Sequence, residues 1–130
     1  MGSHVGVSIG YDGPTQMALE DLAMFRSIPG SVIFYPSCAN ACAKAMELSA
    51  NRRGIDLIRT NRPKTPVIYP KSEVFAIGKC KVLRQSPSDI LCIVSAGVPL
   101  MESLKAYDLL KAQGIFVRIV DIFTVKPIDL

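Results

Sequence analysis

Apolar residues in this chain come in short runs punctuated by Gly, Pro and small polar residues, and the period of the pattern changes along the sequence. Val5, Val7 and Ile9 alternate with small residues, which predicts a strand. Asp12-Gly13-Pro14 breaks it, because Gly accepts positive φ and Pro fixes φ. Thr15 is placed to cap a helix over residues 16–26, in which Ala18, Leu22 and Phe25 share a face. Glu20 and Asp21 fall in its N-terminal half, where acidic charge suits the helix dipole. Pro29-Gly30 ends that helix, and residues 31–35 form an apolar strand closed by Pro36. Ser37 can cap a second helix over 38–53, with a stripe of Ala39, Ala43, Met46 and Ala50 and a stop at Gly54. A third strand follows at 55–60.

Pro63, Pro66 and Pro70 exclude a helix or central strand in the next stretch, and residues 65–73 read as a linker. Beyond it the pattern predicts a strand over 78–84 and a Ser-Pro-Ser turn. The continuous apolar run 90–95 suits a parallel strand covered on both faces. Gly97-Val98-Pro99 opens a helix whose buried face is Leu100, Leu104, Tyr107 and Leu110; Gly114 stops it, and 116–123 is a strand. Alternating β and α segments predict an α/β fold, built from parallel-sheet βαβ units in two partial domains.

Composition refines this picture little. The 130 residues are 49% hydrophobic and 20% charged, as in an ordinary globular α/β protein. The net charge is +4, but Arg52-Arg53 is the only adjacent basic pair, so a solvated helix end is the expectation and no nucleic-acid partner is implied. The Ile90–Leu100 run is too short to span a bilayer, so no membrane association is expected. Cys38, Cys42, Cys80 and Cys92 lack C-x-x-C spacing, and His4 is distant from them in sequence; reduced, mostly buried thiols and a cytoplasmic location are expected. The candidate chemistry lies near the start, where His4, Asp12 and Gln16 gather around one predicted strand end, the place where α/β sheets bind ligands.

Gly2-Ser3-His4, then Gly6-Val7-Ser8-Ile9-Gly10, then Asp12-Gly13-Pro14-Thr15-Gln16-Met17 through Ile28-Pro29 resemble transketolase of the animal type. The similarity continues through Ile58-Arg59-Thr60-Asn61-Arg62-Pro63 and Phe123-Thr124-Val125-Lys126-Pro127-Ile128-Asp129, and so covers nearly the whole chain. The Asp-Gly-Pro-Thr core also occurs in deoxyxylulose-phosphate synthase, but residues 17–29 fit transketolase better than that enzyme or an α-keto acid dehydrogenase β chain. The resemblance implies that 1–64 is the latter part of a pyrimidine-binding domain, 65–73 a linker and 74–130 the opening of a C-terminal domain. Both domains look truncated, so unpaired strand edges and poor stability in isolation are expected.

The family transfers a two-carbon ketol unit between sugar phosphates in the pentose phosphate pathway, using thiamine diphosphate with Mg or Ca, and works as a homodimer. By resemblance His4 and Asp12 recognise sugar oxygens, Arg62 grips the sugar phosphate, and Gln16 faces the cofactor and donor. Those residue types suit the roles: a carboxylate accepts directional hydrogen bonds, and a guanidinium fork binds phosphate bidentately. Arg59 reads as a supporting ion-pair residue. Tyr11 and Cys38 depart from the family pattern, which usually has glutamate and aspartate there. The catalytic glutamate and the metal ligands of the family lie upstream of these 130 residues. No ketol transfer by this chain alone is therefore expected. The alternative is a truncated or degenerate paralogue acting at most as a binding module; the departures at Tyr11 and Cys38, and Met1 standing directly at the motif, point that way.

Overall fold

The computed structural model describes residues 1–129. In chain order its elements are α1 (Asp21–Ser27), β1 (Val32–Phe34), α2 (Ala39–Ala50), β2 (Asp56–Ile58), β3 (Lys81–Arg84), β4 (Leu91–Ser95), α3 (Pro99–Ala112), β5 (Val117–Asp121) and β6 (Thr124–Lys126). They form two three-stranded sheets, ordered β2-β1-β6 and β3-β5-β4. Each sheet holds one parallel pair joined through a helix, β1-α2-β2 and β4-α3-β5, so the expected βαβ units are present. Each also holds an antiparallel strand that hydrophobic periodicity does not show as such.

The first strand expected from the pattern is absent. Residues 7–9 and 14–16 are single 3₁₀ turns. His4, Gly6, Gly10 and Gly13 all take positive φ, which no strand can carry through. Pairing survives only at the very start, where Gly2 and Val5 donate backbone hydrogen bonds to Ile58 and Thr60. The helix expected over 16–26 begins only at Asp21, because Ala18 has φ +46° and interrupts the backbone after the 3₁₀ turn; Thr15 lies inside that turn and caps nothing.

α2 buries the face opposite to the expected stripe. Ala41 and Ala45 have no exposed surface and pack on Val32, Phe34, Ile58 and Phe123, whereas Ala39, Ala43 and Ala50 are exposed and Met46 is 46% exposed. Alanines ring this helix, so two opposite faces have nearly the same apolar pattern; the sheet takes the one whose small residues allow close approach. Ser37 does not cap it. The N-cap is Cys38, which makes no side-chain cap bond, and the Ser37 hydroxyl donates instead to Asp121 Oδ2 at 3.0 Å.

β4 departs from expectation in the same way. It lies at a sheet edge with α3 over only one face, so Cys92 and Val94 on the open face are exposed, and Leu91 and Ile90 at the strand's start are exposed as well, Ile90 at 78%. α3 itself presents Leu100 and Tyr107 to the core, with Leu104 and Leu110 partly buried beside them, as its 3.6-residue period predicts.

The two sheets carry separate buried clusters, one around Phe34 and Phe123 and one around Leu100 and Ile119, and the partly buried Ile68 and Leu83 pack against both. Phe34 of β1, Phe123 and Phe75 form an aromatic chain with centroid separations of 5.5 and 4.3 Å, the first pair edge-on and the second tilted, and Tyr69 extends it at 4.9 Å. Tyr69 and Phe75 are buried, so the proline-punctuated stretch contributes to the core. β6 then reaches across to pair with β1 through Ile33↔Lys126 and Phe34↔Thr124.

Candidate functional site

The candidate residues stand where β1 and β2 end. Residues 59–62 continue from β2, and the looped N-terminal segment lies over them. Arg62 donates through Nη1 to Asp12 Oδ2 at 2.8 Å and to the Ile9 carbonyl at 3.1 Å. Asp12 and Arg62 remain 45% and 52% exposed in their side chains, so the pair faces solvent. An ion pair this open is worth only about 0–1 kcal/mol, and either group can exchange it for a ligand at little cost.

Arg59 is a different kind of residue. It is buried, its Nε donates to Asp21 Oδ2 at 2.7 Å, and its guanidinium lies 4.5 Å from the Tyr35 ring centroid. Burial raises the pKa of Tyr35, the nearby Arg59 opposes this, and the phenol donates to Asn61 Oδ1 at 3.3 Å. This arrangement fixes the backbone of 59–61 and so sets the direction in which Arg62 leaves the sheet. Asp21 was legible only as a helix-start acid; its partnership with Arg59, 38 residues away, has no local signature.

His4 and Gln16 are less engaged. His4 is exposed, has φ +62°, and shares a 2.9 Å hydrogen bond with Ser3 Oγ. Gln16 is exposed at the end of its 3₁₀ turn. The backbone ties their neighbourhoods together, since Gly6 N–H donates to the Met17 carbonyl at 2.6 Å. Among the described residues no hydrogen bond joins His4 or Gln16 to the Asp12–Arg62 pair. Tyr11, next to Asp12, is fully exposed.

On the other side of the strand ends lies a cleft of about 360 Å³, lined by Ser37, Cys38, Cys42, Asn61 and Lys64 among others. Beneath it the Ser37 and Tyr69 hydroxyls both donate to Asp121 Oδ2, at 3.0 and 2.8 Å, while Asp121 Oδ1 is buried without a partner. Burial pushes the Asp121 carboxyl above its ordinary value, against the pull of those two donors. In the sequence this knot leaves only one trace, a lone Asp at a strand end flanked by apolar residues.

Comparison with known proteins settles the family. The transketolase pyrimidine-binding domain model matches residues 1–67, and the transketolase C-terminal domain model matches 78–130. The chain belongs to the transketolase family. Human transketolase is 55% identical over 128 residues, covering 98% of this chain and 20% of its own length. Transketolase-like protein 2 of Mus musculus and transketolase-like protein 1 of Bos taurus are each 57% identical over 129 residues, covering 99% of this chain and 21% and 22% of their own. The chain thus spans about a fifth of the length of the curated transketolase relatives it matches. Among solved structures, a split-gene transketolase described as an inactive β4 tetramer superposes with a TM-score of 0.85 at 31% identity, over 98% of this chain and 40% of that one. A Pichia stipitis transketolase complexed with sedoheptulose 7-phosphate shares the fold, with a TM-score of 0.80 at 23% identity over 95% of this chain and 18% of that one.

Among the described residues no three His, Cys, Asp or Glu side chains cluster to hold a metal ion for a diphosphate. Among them, too, no helix is long and apolar enough to cross a membrane.

Proposed function

We propose that this chain supplies the sugar-phosphate wall of a transketolase site, acting in two-carbon ketol transfer when joined to a cofactor-binding half. The observation that carries this reading is the solvent-facing Asp12–Arg62 pair at the end of β2. Arg62 offers a permanent, planar charge suited to a phosphate. Asp12, released when the phosphate takes Arg62, offers a carboxylate to sugar hydroxyls. His4, exposed beside Ser3, is placed to hydrogen-bond a further sugar oxygen, and Gln16 to meet thiamine diphosphate, which would supply the carbanion chemistry. The Asp21–Arg59–Tyr35 arrangement holds the strand end that carries Arg62. A homodimer and a cytoplasmic location follow from the same reading.

The test is Arg62→Ala in the assembled enzyme. Loss of a charge-assisted contact of about 1.5–3 kcal/mol should lower kcat/KM for phosphorylated donors tens-fold. A non-phosphorylated donor should change little. Equal losses for both donor classes would remove the phosphate-clamp assignment. A second reading, a non-catalytic relative that binds sugar phosphates or a partner chain, draws support from Tyr11, a fully exposed ring beside Asp12 where the family resemblance implies glutamate. Phosphorylated-sugar binding without turnover in the assembled protein would select it.

A further inference from the structure

Two thiols face the cleft beneath the strand ends. Cys38 is the N-cap residue of α2, Cys42 stands one turn later, and the Cys42 N–H donates to the Cys38 carbonyl at 2.9 Å. Both side chains line the cleft, Cys38 only 4% exposed and Cys42 half-buried, and both thiols are free. They pack in one apolar cluster. Burial raises the Cys42 pKa, and the adjacent Cys38 adds to the effect, so Cys42 is a neutral thiol near pH 7.

The spacing selects what the pair can hold. Cys38 stands at the helix entry with φ −149° and ψ 173°, so its Cβ does not follow the regular i, i+4 track to Cys42. A disulfide requires Cβ atoms roughly 3.5–4.5 Å apart in one narrow geometry. A single soft centre bridging two sulfurs, with bonds of about 2.3 Å, accepts a wider range of separations. A divalent ion would want further protein donors, and among the described residues no group of three clusters here. A trivalent metalloid that brings its own third bond needs only two.

We propose that Cys38 and Cys42 form a dithiol site for a trivalent organic arsenical. In water such a reagent carries one carbon and two hydroxyls on arsenic. Two As–O bonds break and two As–S bonds form. Each departing hydroxyl leaves as water with one thiol proton, arsenic stays trivalent, and no electrons are transferred. The raised Cys42 pKa agrees with this, since the condensation consumes neutral thiols. Cys80 and Cys92 cannot chelate in the same way, because Cys92 lies on β4, Cys80 just before β3, and β5 runs between those strands. The bound group would fill a cleft that Asn61 lines, one residue before Arg62. The inference does not depend on the sugar-phosphate reading.

The experiment treats the reduced, full chain with equimolar phenylarsine oxide and then with excess 2-mercaptoethanol, and reads intact mass. One phenylarsenic per chain should survive the monothiol and leave with 2,3-dimercaptopropanol. Cys42→Ser and Cys38→Ser should each lower retention roughly 100-fold, since one thiol alone forfeits the intramolecular second bond. Serine is also a good N-cap, so Cys38→Ser keeps the helix start. The Cys80→Ser/Cys92→Ser double variant should retain the group. Alkylation of the wild-type adduct followed by peptide mapping gives a readout free of any variant: Cys38 and Cys42 protected, Cys80 and Cys92 modified. Retention in Cys42→Ser, alkylation of Cys38 or Cys42 in the adduct, or no retained group on the folded wild-type chain would overturn the proposal.

Discussion

A carboxylate with no exposed surface destabilises the fold unless donors or a proton relieve it. At Asp121 both donors meet Oδ2, leaving Oδ1 bare. Burial raises its folded pKa above the unfolded value near 3.9. A raised carboxyl contributes stability that is complete below the unfolded pKa and is lost as pH rises through the folded one. Asp121→Asn cannot ionise, so its stability relative to wild type should improve as pH rises from about 4 to 7. Denaturant melts across that range would show a constant difference if Asp121 were not titrating. Asp121→Ala should be worse at every pH, because it strands the Ser37 and Tyr69 hydroxyls at about 1–3 kcal/mol each. The sequence shows Asp121 and Arg62 as residue types only. Their partners lie 84 and 50 residues away, at separations no local pattern encodes.

α1 is a short helix held at both ends by charge. Its first residue, Asp21, binds buried Arg59; at the other end Lys126 Nζ donates to the Arg26 carbonyl at 2.9 Å and to Ser31 Oγ at 3.1 Å. Cationic charge there also suits the helix dipole. Asp21→Ala should cost about 3–5 kcal/mol, because it leaves the Arg59 guanidinium buried and unpaired. Adding Arg59→Met should recover a large part of that loss. If the single variant melts like wild type, Arg59 is not held by Asp21. The sequence placed β1, α2, α3 and β5 well because each has a strong period or clear punctuation. It misjudged α2's buried face because alanine fills both sides. It extended α1 backwards because a Thr-cap pattern does not reveal the positive φ at Ala18. β6 is three residues long, and only its partner makes it a strand.

For the molecule as a whole, the second sheet keeps one face open. Val82 and Val94 are exposed on it, and the β4 edge beside them carries exposed Ile90 and Leu91. An edge and face of this kind favour self-association. The isolated chain should therefore bind a hydrophobic dye and show concentration-dependent sedimentation; a monomer silent to the dye at high concentration would count against this. The same chain offers one wall of the proposed site and no metal cluster among its described residues. Calorimetry should then find no magnesium-dependent binding of thiamine diphosphate, and a coupled assay no ketol transfer. Saturable binding with turnover would show that these residues suffice. That two βαβ units were present could be read from strand–helix alternation. Which aromatics fill the first unit's core could not, because the Phe34–Phe123–Phe75 contacts join positions far apart in the chain.

The pairing of β6 with β1 also sets a clock for biosynthesis. Lys126 meets Ser31 across 95 residues of chain, and β1 is flanked by β2 on its other side only. A ribosome adding about 5–20 residues per second needs roughly 5–20 s to deliver the second partner after the first strand has emerged. Through that interval the nascent β1 offers one unpaired edge of apolar residues, the form in which a growing chain is open to chaperones and to neighbouring chains on the same polysome. The earlier of the two described sheets is completed by a strand from the other end of the described chain.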